Sequence, residues 1–259
     1  MKASLMKTCL AILLLPLPAL AQEQQFSKEQ AVQLDPSKAY FLARTFERPG
    51  GALRGTIQVM PVLIRVLNDE ELAAAKALAE KEPERWKEKA EPNVLAMLAN
   101  EPYARNKEEV TLLAAAKPGT YVLGGVSLTN WASVNRGVMV ASLCMGTVKF
   151  EAKPGVITDL GAILAARDDE PTDIPELAKV VSNKPNEFTV LAYAVAVRPA
   201  TVETSVPAPL AALPRAPADY RATGAFPNYP GVPISRLAPL AGVLDYDQDG
   251  EVVDLQAAR

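Results

Sequence analysis

Nine prolines fall within residues 199–240. They limit the backbone conformations of this segment more strongly than any other feature of the sequence limits its fold. Proline has no backbone N–H to donate and fixes φ, so the tract forms neither a long helix nor the central strand of a sheet. Apolar and aromatic side chains recur along it: Leu210, Leu213, Tyr220, Phe226, Tyr229 and Leu237. We expect an extended segment that wraps a folded domain; a recognition tract for an aromatic groove is the alternative.

The sequence before the proline tract consists largely of short apolar runs separated by turn residues. Strands are predicted at 39–46, which stops before Pro49-Gly50-Gly51, at 56–66 and at 188–197. Pro61 lies inside the second of these strands, where it indicates an edge position or a bulge. The predicted fold class is therefore mainly β, with sandwich-like antiparallel sheets.

The predicted strands are interrupted at residues 68–105 by a segment with the sequence pattern of helices. Asn68 followed by Glu71 is the pattern of a capping box, which predicts the start of a helix. A second short helix is predicted at 94–99, between two prolines. We expect a helical insertion between strands and not a domain with its own core.

One tetrapeptide occurs twice, as Ala116-Lys117-Pro118-Gly119 and as Ala152-Lys153-Pro154-Gly155. Proline at the first central position and glycine at the second predict type II turns between strands. The surrounding segments, Lys117-Pro118-Gly119-Thr120-Tyr121 and Val148-Lys149-Phe150-Glu151-Ala152-Lys153-Pro154-Gly155, make residues 114–161 resemble small exported bacterial β-sandwich proteins of unknown function. The resemblance implies a β-sandwich domain and supplies no catalytic residue.

The first 21 residues have the pattern of a secretory signal peptide. Lys2 and Lys7 precede an apolar run over residues 9–15, and Ala19-Leu20-Ala21 fits a signal-peptidase site. The apolar run is shorter than the roughly 20 residues that span a membrane, so a retained anchor is the less favoured alternative. We therefore predict a mature chain that begins near Gln22, no membrane span after cleavage, and a periplasmic or secreted location.

Three segments follow from these boundaries: a signal peptide at 1–21, a polar and flexible arm at 22–37, and a single β-rich domain at 38–259. Cleavage removes two lysines and no acid, so the formal net charge shifts from −3 to −5. A mildly acidic exported protein has no electrostatic reason to bind nucleic acid. Cys144 is then the remaining cysteine, and its apolar neighbours indicate packing in the core, with a reactive thiol as the alternative.

The chain contains no histidine, which excludes Ser-His-Asp and Cys-His catalysis and histidine-ligated metal sites. Paired carboxylates would still serve a histidine-free hydrolase, because glycosidic chemistry needs only two acids at the right separation. Candidate acids for such an enzyme are Glu151, Asp159, Asp168, Asp169 and Glu170. Sequence spacing does not show which two of them would lie at that separation across a β fold, so no catalytic residue is assigned.

The C-terminal residues allow two interpretations. Asp245, Asp247 and Asp249 occupy the first three ligand positions of an EF-hand loop, with Gly250 at the sharp turn, and this pattern is typical of calcium binding. The twelfth position, however, is Gln256 instead of a bidentate glutamate. A β-hairpin over 243–255, turning through Asp249-Gly250, is the favoured interpretation.

An exported, non-enzymatic envelope protein that binds a partner or ligand, or has a structural role, is the function these features favour. Its partner would be another envelope protein or a small ligand. The first candidate contact residues are Asn130 and Trp131, in a polar loop between apolar stretches. Packing of Trp131 in the core is the alternative. A carboxylate hydrolase and a calcium-stabilised β domain are the other two hypotheses.

Overall fold

Residues 39–46 and 109–116 form two long strands that pair along their whole length, from Ala39 opposite Ala116 to Phe46 opposite Glu109. The computed structural model describes residues 25–27, 31–46, 48–49, 56–81, 94–97, 101–130, 138–167, 172–178, 193–224, 226 and 234–257. In these ranges the chain forms two seven-stranded sheets and a two-stranded hairpin, which confirms the predicted mainly β class. No helix of the described residues has the length and apolar character needed to cross a membrane.

The elements are numbered in chain order. The strands are β1 (Gln25–Phe26), β2 (Ala39–Phe46), β3 (Arg48–Pro49), β4 (Thr56–Arg65), β5 (Val94–Ala96), β6 (Ala104–Asn106), β7 (Glu109–Ala116), β8 (Gly119–Asn130), β9 (Val138–Ser142), β10 (Thr147–Ala152), β11 (Ile157–Arg167), β12 (Tyr193–Arg198), β13 (Arg215–Pro217), β14 (Arg221–Thr223), β15 (Leu244–Tyr246) and β16 (Val252–Asp254). The helices are α1 (Asp69–Lys81) and the four-residue α2 (Pro175–Ala178).

The first sheet has the order β1-β7-β2-β11-β12, with β6 beside β7 and β13 beside β11. The second has the order β14-β10-β8-β4-β3, with β5 beside β4 and β9 beside β8. Most neighbours are antiparallel, as predicted, but β11 runs parallel to both β2 and β13. Against β8, Val62 lies opposite Gly125 and Leu63 opposite Leu123, so the bulge next to Pro61 has its extra residue, Gly124, in β8 and not in the strand of Pro61 where it was predicted.

Both copies of the Lys-Pro-Gly sequence carry the chain from one sheet to the other. The first joins β7 to β8, and the second joins β10 to β11. Gly155 has φ +70°, as the second central residue of a type II turn requires. Gly119 has φ +140° and already pairs with Ala152 as the first residue of β8, so the type II prediction does not hold there.

The main core lies between the two sheets. Phe41 of the first sheet contacts Tyr121 of the second edge-to-face, with ring centroids 4.7 Å apart. Phe150 packs edge-to-face on Tyr220 at 5.7 Å, so the aromatic contacts continue towards the C-terminal segment. Aromatic pairs in these orientations contribute about 0.5–1.5 kcal/mol beyond their burial.

The outer face of the first sheet is also buried, which explains why β2, β7 and β12 are apolar runs instead of alternating ones. Part of the cover comes from the N-terminal segment that the sequence predicts to be a flexible arm. Gln25 and Phe26 pair with β7, and Phe26 and Val32 are buried beside Tyr40. This stretch of the predicted flexible arm is therefore packed on the first sheet, because Phe26 and Val32 are apolar residues that become buried there.

The helical insertion is only partly helical. The predicted capping box is present at the start of α1: the Glu71 N–H donates to Asn68 Oδ1 at 2.8 Å, and the Asn68 N–H donates to Glu71 Oε2 at 3.1 Å. Arg65 of β4 also binds both oxygens of Glu71, at 2.9 and 3.0 Å. The second predicted helix is wrong, because Val94–Ala96 forms β5 and completes the edge of β4.

Glu71→Ala is expected to loosen the first turn of α1 by about 1 kcal/mol, since it removes the reciprocal cap. The amide of Leu72, which donates to Asn68 O, would then exchange its hydrogen about fivefold faster. Arg65 lowers the pKa of Glu71 from 4.5, so the same loosening is expected in the unchanged protein as the pH falls below 4.5. Glu70→Ala, an exposed acid in the same turn, is the control and leaves the exchange rate unchanged.

The proline-rich segment runs over the surface in short pieces, as predicted. It contributes β13 to the first sheet, β14 to the second and a 3-10 turn at Ala208–Leu210. The chain then ends in the antiparallel β15–β16 hairpin, with Leu244 opposite Asp254 and Tyr246 opposite Val252. Tyr246 fixes this hairpin to the domain, because its hydroxyl donates to Leu237 O at 2.7 Å.

Candidate functional site

Three charged side chains meet beneath the proline-rich segment and form what we call the buried ion cluster: Arg44, Asp159 and Arg215. Arg44 binds Asp159 through two parallel bonds, Nη1 to Oδ1 at 2.9 Å and Nη2 to Oδ2 at 3.1 Å. Arg215 Nη1 donates to Asp159 Oδ2 at 2.6 Å. Asp159 is fully buried, and the side chain of Arg44 is 7% exposed. Among the described residues this is the ion pair with the deepest burial.

Three neighbouring strands of the first sheet position these side chains. Arg44 lies on β2 and Arg215 on β13, on either side of Asp159 on β11. The register of β11 against β2 shifts between Asp159 and Ala162, so β11 holds one extra residue there. The N–H of Gly161 in this bulge donates to Asp159 Oδ1 at 3.0 Å. The bulge thus both aims the carboxylate and supplies one of its hydrogen bonds.

The cluster also holds the proline-rich segment in place. Arg44 Nη2 donates to Ser205 O at 3.0 Å, and Arg215 Nη2 donates to Val202 O at 3.2 Å. Tyr220 lies nearby, with its hydroxyl donating to Leu160 O at 2.8 Å. Burial, and secondarily the charge of Asp159, raises the pKa of Tyr220 above its ordinary value of 10.0. Tyr220 therefore acts as a neutral hydrogen-bond donor.

Asp159 has no lone pair left for chemistry. A carboxylate offers about four acceptor sites. In this protein Oδ1 accepts from Arg44 and Gly161, while Oδ2 accepts from Arg44 and Arg215. All four of these acceptor positions are therefore occupied by groups of the protein itself. Its arrangement is that of a structural ion cluster.

The other acids considered for a hydrolase do not add a reactive pair. Glu151 is exposed on β10, where its Oε2 accepts a hydrogen bond from the Thr120 hydroxyl at 2.8 Å. Asp168, Asp169 and Glu170 lie outside the residues that the structure describes. Of the candidate acids, the described residues therefore contain Asp159, which is bound by two arginines, and Glu151, which lies on the surface.

Of the two predicted contact residues, the structure describes Asn130, which lies at one end of the second sheet. Asn130 is the last residue of β8, where it pairs with Ile57 of β4. The adjoining β8–β9 ladder extends to Thr129 opposite Val138, so residues 130–137 connect the two strands of a hairpin. Trp131 is in this connection and lies outside the described residues. The prediction that it contacts a partner stays a prediction.

The three C-terminal aspartates are not brought together. Asp245 lies within β15, and its carboxylate accepts from the N–H of Tyr246 at 2.9 Å. Asp247 is in the turn, where Oδ1 accepts from the N–H groups of Asp249 and Glu251 at 3.0 and 2.9 Å. No group of three acid or cysteine side chains that would hold a metal ion is found among the described residues. The turn is thus stabilised by its own aspartate.

Calcium is accordingly expected to leave the melting temperature unchanged relative to a chelator. A bound calcium ion at a hundredfold excess over Kd would add about 2.7 kcal/mol to the free energy of unfolding. The measurement is a thermal melt in millimolar calcium, in the same concentration of magnesium, and in chelator. A rise in calcium alone that disappears in Asp247→Asn would restore the calcium hypothesis.

Cys144 is buried, as its apolar neighbours predict. It lies in the tight connection between β9 and β10, where its carbonyl accepts from the N–H of Phe226 at 3.0 Å. The side chain is 5% exposed, which fits a packing role.

The buried ion cluster is the feature that sequence reasoning missed. Its members are separated by 115 and 56 residues, so no local motif joins them. A signal was nevertheless present, because Arg44 and Asp159 are charged residues within largely apolar strands. A charge within an apolar run indicates either a surface position or a buried partner.

Comparisons with protein-family models, curated proteins and solved structures found no match to this chain. The β-rich class that the resemblance over residues 114–161 implies agrees with the observed sheets. Membership of a family of exported β-sandwich proteins stays a prediction.

Proposed function

We propose that this chain is an exported envelope protein, periplasmic or secreted, that works as a non-enzymatic binding or structural module. The observation that supports the proposal is that the buried carboxylate of the described residues is hydrogen-bonded entirely within the protein. The fully buried carboxylate, Asp159, is saturated by two arginines and a backbone N–H, and it serves to tie the proline-rich segment to the first sheet. On this proposal, the domain meets another molecule through its loops.

The loop that follows Asn130 is the proposed contact surface. It extends from β8, the longest strand of the second sheet, and is held at its base by β4 on one side and β9 on the other. Loops that connect the strands of a sheet commonly carry binding residues. Tryptophan is a frequent centre of binding energy in protein interfaces.

Photo-crosslinking in intact cells tests this contact. A photoreactive amino acid replaces Trp131 in one variant and Lys153 in the control. Lys153 is exposed and lies beside Ala152, which pairs with Gly119 at the opposite end of β8. The expected result is one reproducible adduct from position 131 that is absent from position 153. Equal adducts, or none, from the two positions would remove the loop as the contact surface.

The same preparation tests export. The recovered chain is expected to have the mass of residues 22–259 and to fractionate with periplasmic or secreted proteins. A chain that keeps residues 1–21 and stays in the cytoplasm would contradict the exported location. The photo-crosslinking result at position 131 would not depend on that outcome.

A further inference from the structure

The buried ion cluster contains two positive charges and one negative charge. Asp159 is the partner of both Arg44 and Arg215, and no other carboxylate in the described part of the chain pairs with either arginine. The carbonyls of Ser205 and Val202 orient their dipoles towards the guanidinium groups but carry no net charge. A surplus positive charge in a poorly solvated position is costly unless an anion approaches it.

Arg215 is the member of the cluster that an anion from solution would meet. Its side chain is 16% exposed, compared with 7% for Arg44 and none for Asp159. A guanidinium has five N–H donors. One donates to Asp159 and one to Val202 O, so three have no partner among the residues that the structure describes. Two such donors on one planar edge match the oxygens of a carboxylate or a phosphate group.

Glu203 follows Val202 in the sequence and is exposed. Among the described residues it forms no ion pair with Arg215, whose acidic partner is Asp159. A hydrogen bond with the Thr201 side chain lowers the pKa of Glu203 from its usual value. The chain's own acids in the described ranges therefore leave the surplus charge of the cluster unmatched.

We propose that Arg215, held in position by Asp159 and reinforced by the charge of Arg44, binds a small oxyanion that carries a carboxylate or a phosphate group. The anion lies on the exposed edge of the Arg215 guanidinium, next to the Val202–Ser205 stretch. This site uses other residues than the proposed contact surface after Asn130, so each assignment can fail without the other.

The test is equilibrium binding of inorganic phosphate and, in a separate titration, of acetate to the mature protein at constant ionic strength set with sodium chloride. Saturable binding of one ion per chain is expected. Binding of phosphate alone indicates a phosphate-bearing ligand, binding of acetate alone a carboxylate-bearing one, and binding of both a general oxyanion site. Absence of saturable binding for both ions would overturn the proposal.

Variants of two arginines locate the site. Arg215→Gln is expected to weaken binding at least about tenfold, since it removes a charge-assisted bidentate contact. Arg215→Lys keeps the charge but not the planar edge and is expected to bind with intermediate affinity; it decides the question if Arg215→Gln does not fold. Arg198→Gln is the control, because Arg198 is half-exposed and already paired with Glu176. Equal affinity in the Arg215 variants and the unchanged protein would contradict the assignment.

Discussion

Asp159→Asn is expected to reduce the free energy of unfolding by about 3–5 kcal/mol, the cost of removing one partner from a buried ion pair. The substitution keeps the shape of the side chain but leaves Arg44 and Arg215 without a counter-charge. It also replaces one acceptor oxygen with an amide group, whose N–H atoms would face the N–H donors of the arginines. Both effects act against the folded state, and neither is relieved by water at a fully buried position.

The measurement is the midpoint of urea unfolding, followed by circular dichroism and converted with the slope of the transition. Asp173→Asn is the matched control, since Asp173 is exposed and the same chemical change there is expected to alter stability by less than about 0.5 kcal/mol. A loss of under about 1 kcal/mol in Asp159→Asn would show that the cluster contributes little to the fold, against the expectation for buried ion pairs.

A second variant separates the charge from the packing. Arg44→Met keeps an apolar stem on β2 and leaves Asp159 paired with Arg215, so it is expected to cost less than Asp159→Asn. In the double variant Arg44→Met with Asp159→Asn, only one guanidinium stays unpaired. The combined loss is therefore expected to be smaller than the sum of the two single losses.

The parts of the fold that the sequence predicts well are those set by neighbouring residues. Asn68 and Glu71 predict the start of α1 because a capping box is complete within four residues. The C-terminal hairpin is likewise predicted from turn residues between two short apolar runs. Its turn differs from the predicted one, because Tyr246 lies opposite Val252 and residues 247–251 connect the strands instead of Asp249-Gly250 alone. In both cases the residues that decide the structure are a few positions apart.

The parts that the sequence did not predict depend on distant partners. The local sequence around Val94–Ala96 predicts a short helix, but these residues pair with the edge of β4 and form a strand. Phe26 is held by β7, which lies almost ninety residues further along the chain. The same applies to the buried ion cluster, whose three residues lie on strands that are neighbours in the sheet but far apart in the sequence. The candidate contact residues, Asn130 and Trp131, were found from local polarity alone; the structure shows that Asn130 ends β8, and Trp131 lies outside the described residues.

The bulge in β11 shows how a local glycine requirement and a distant contact combine. At Gly161 the partner of β11 changes from β13 to β12, because β13 pairs with residues 157–159 and β12 with residues 162–167. The chain leaving β12 passes directly over this point. A Cβ atom on residue 161 would lie 2.1 Å from Arg198 O and 2.6 Å from the Ala200 nitrogen. Gly161 also has φ +77°, in the left-handed region.

Gly161→Ala is therefore expected to destabilise the fold by about 2–5 kcal/mol, which adds the cost of a left-handed alanine to that of an overpacked backbone contact. Arg198 O and the Ala200 nitrogen are main-chain atoms, so they move only if β12 or its exit shifts. Such a shift would also displace the Gly161 N–H from Asp159 Oδ1 and so weaken the buried ion cluster. The measurement is again the urea midpoint.

Two other glycines separate the contributions to this loss. Gly242 has φ +73° but no atom within 4 Å of an added Cβ, so Gly242→Ala measures the left-handed backbone alone, about 1–2 kcal/mol. Gly224 has neither a positive φ nor a neighbour within 4 Å, and Gly224→Ala is expected to be close to neutral. If Gly161→Ala costs no more than Gly242→Ala, then β12 yields to the added methyl group. The close approach of the two strands would in that case be a consequence of the bulge and not a condition for it.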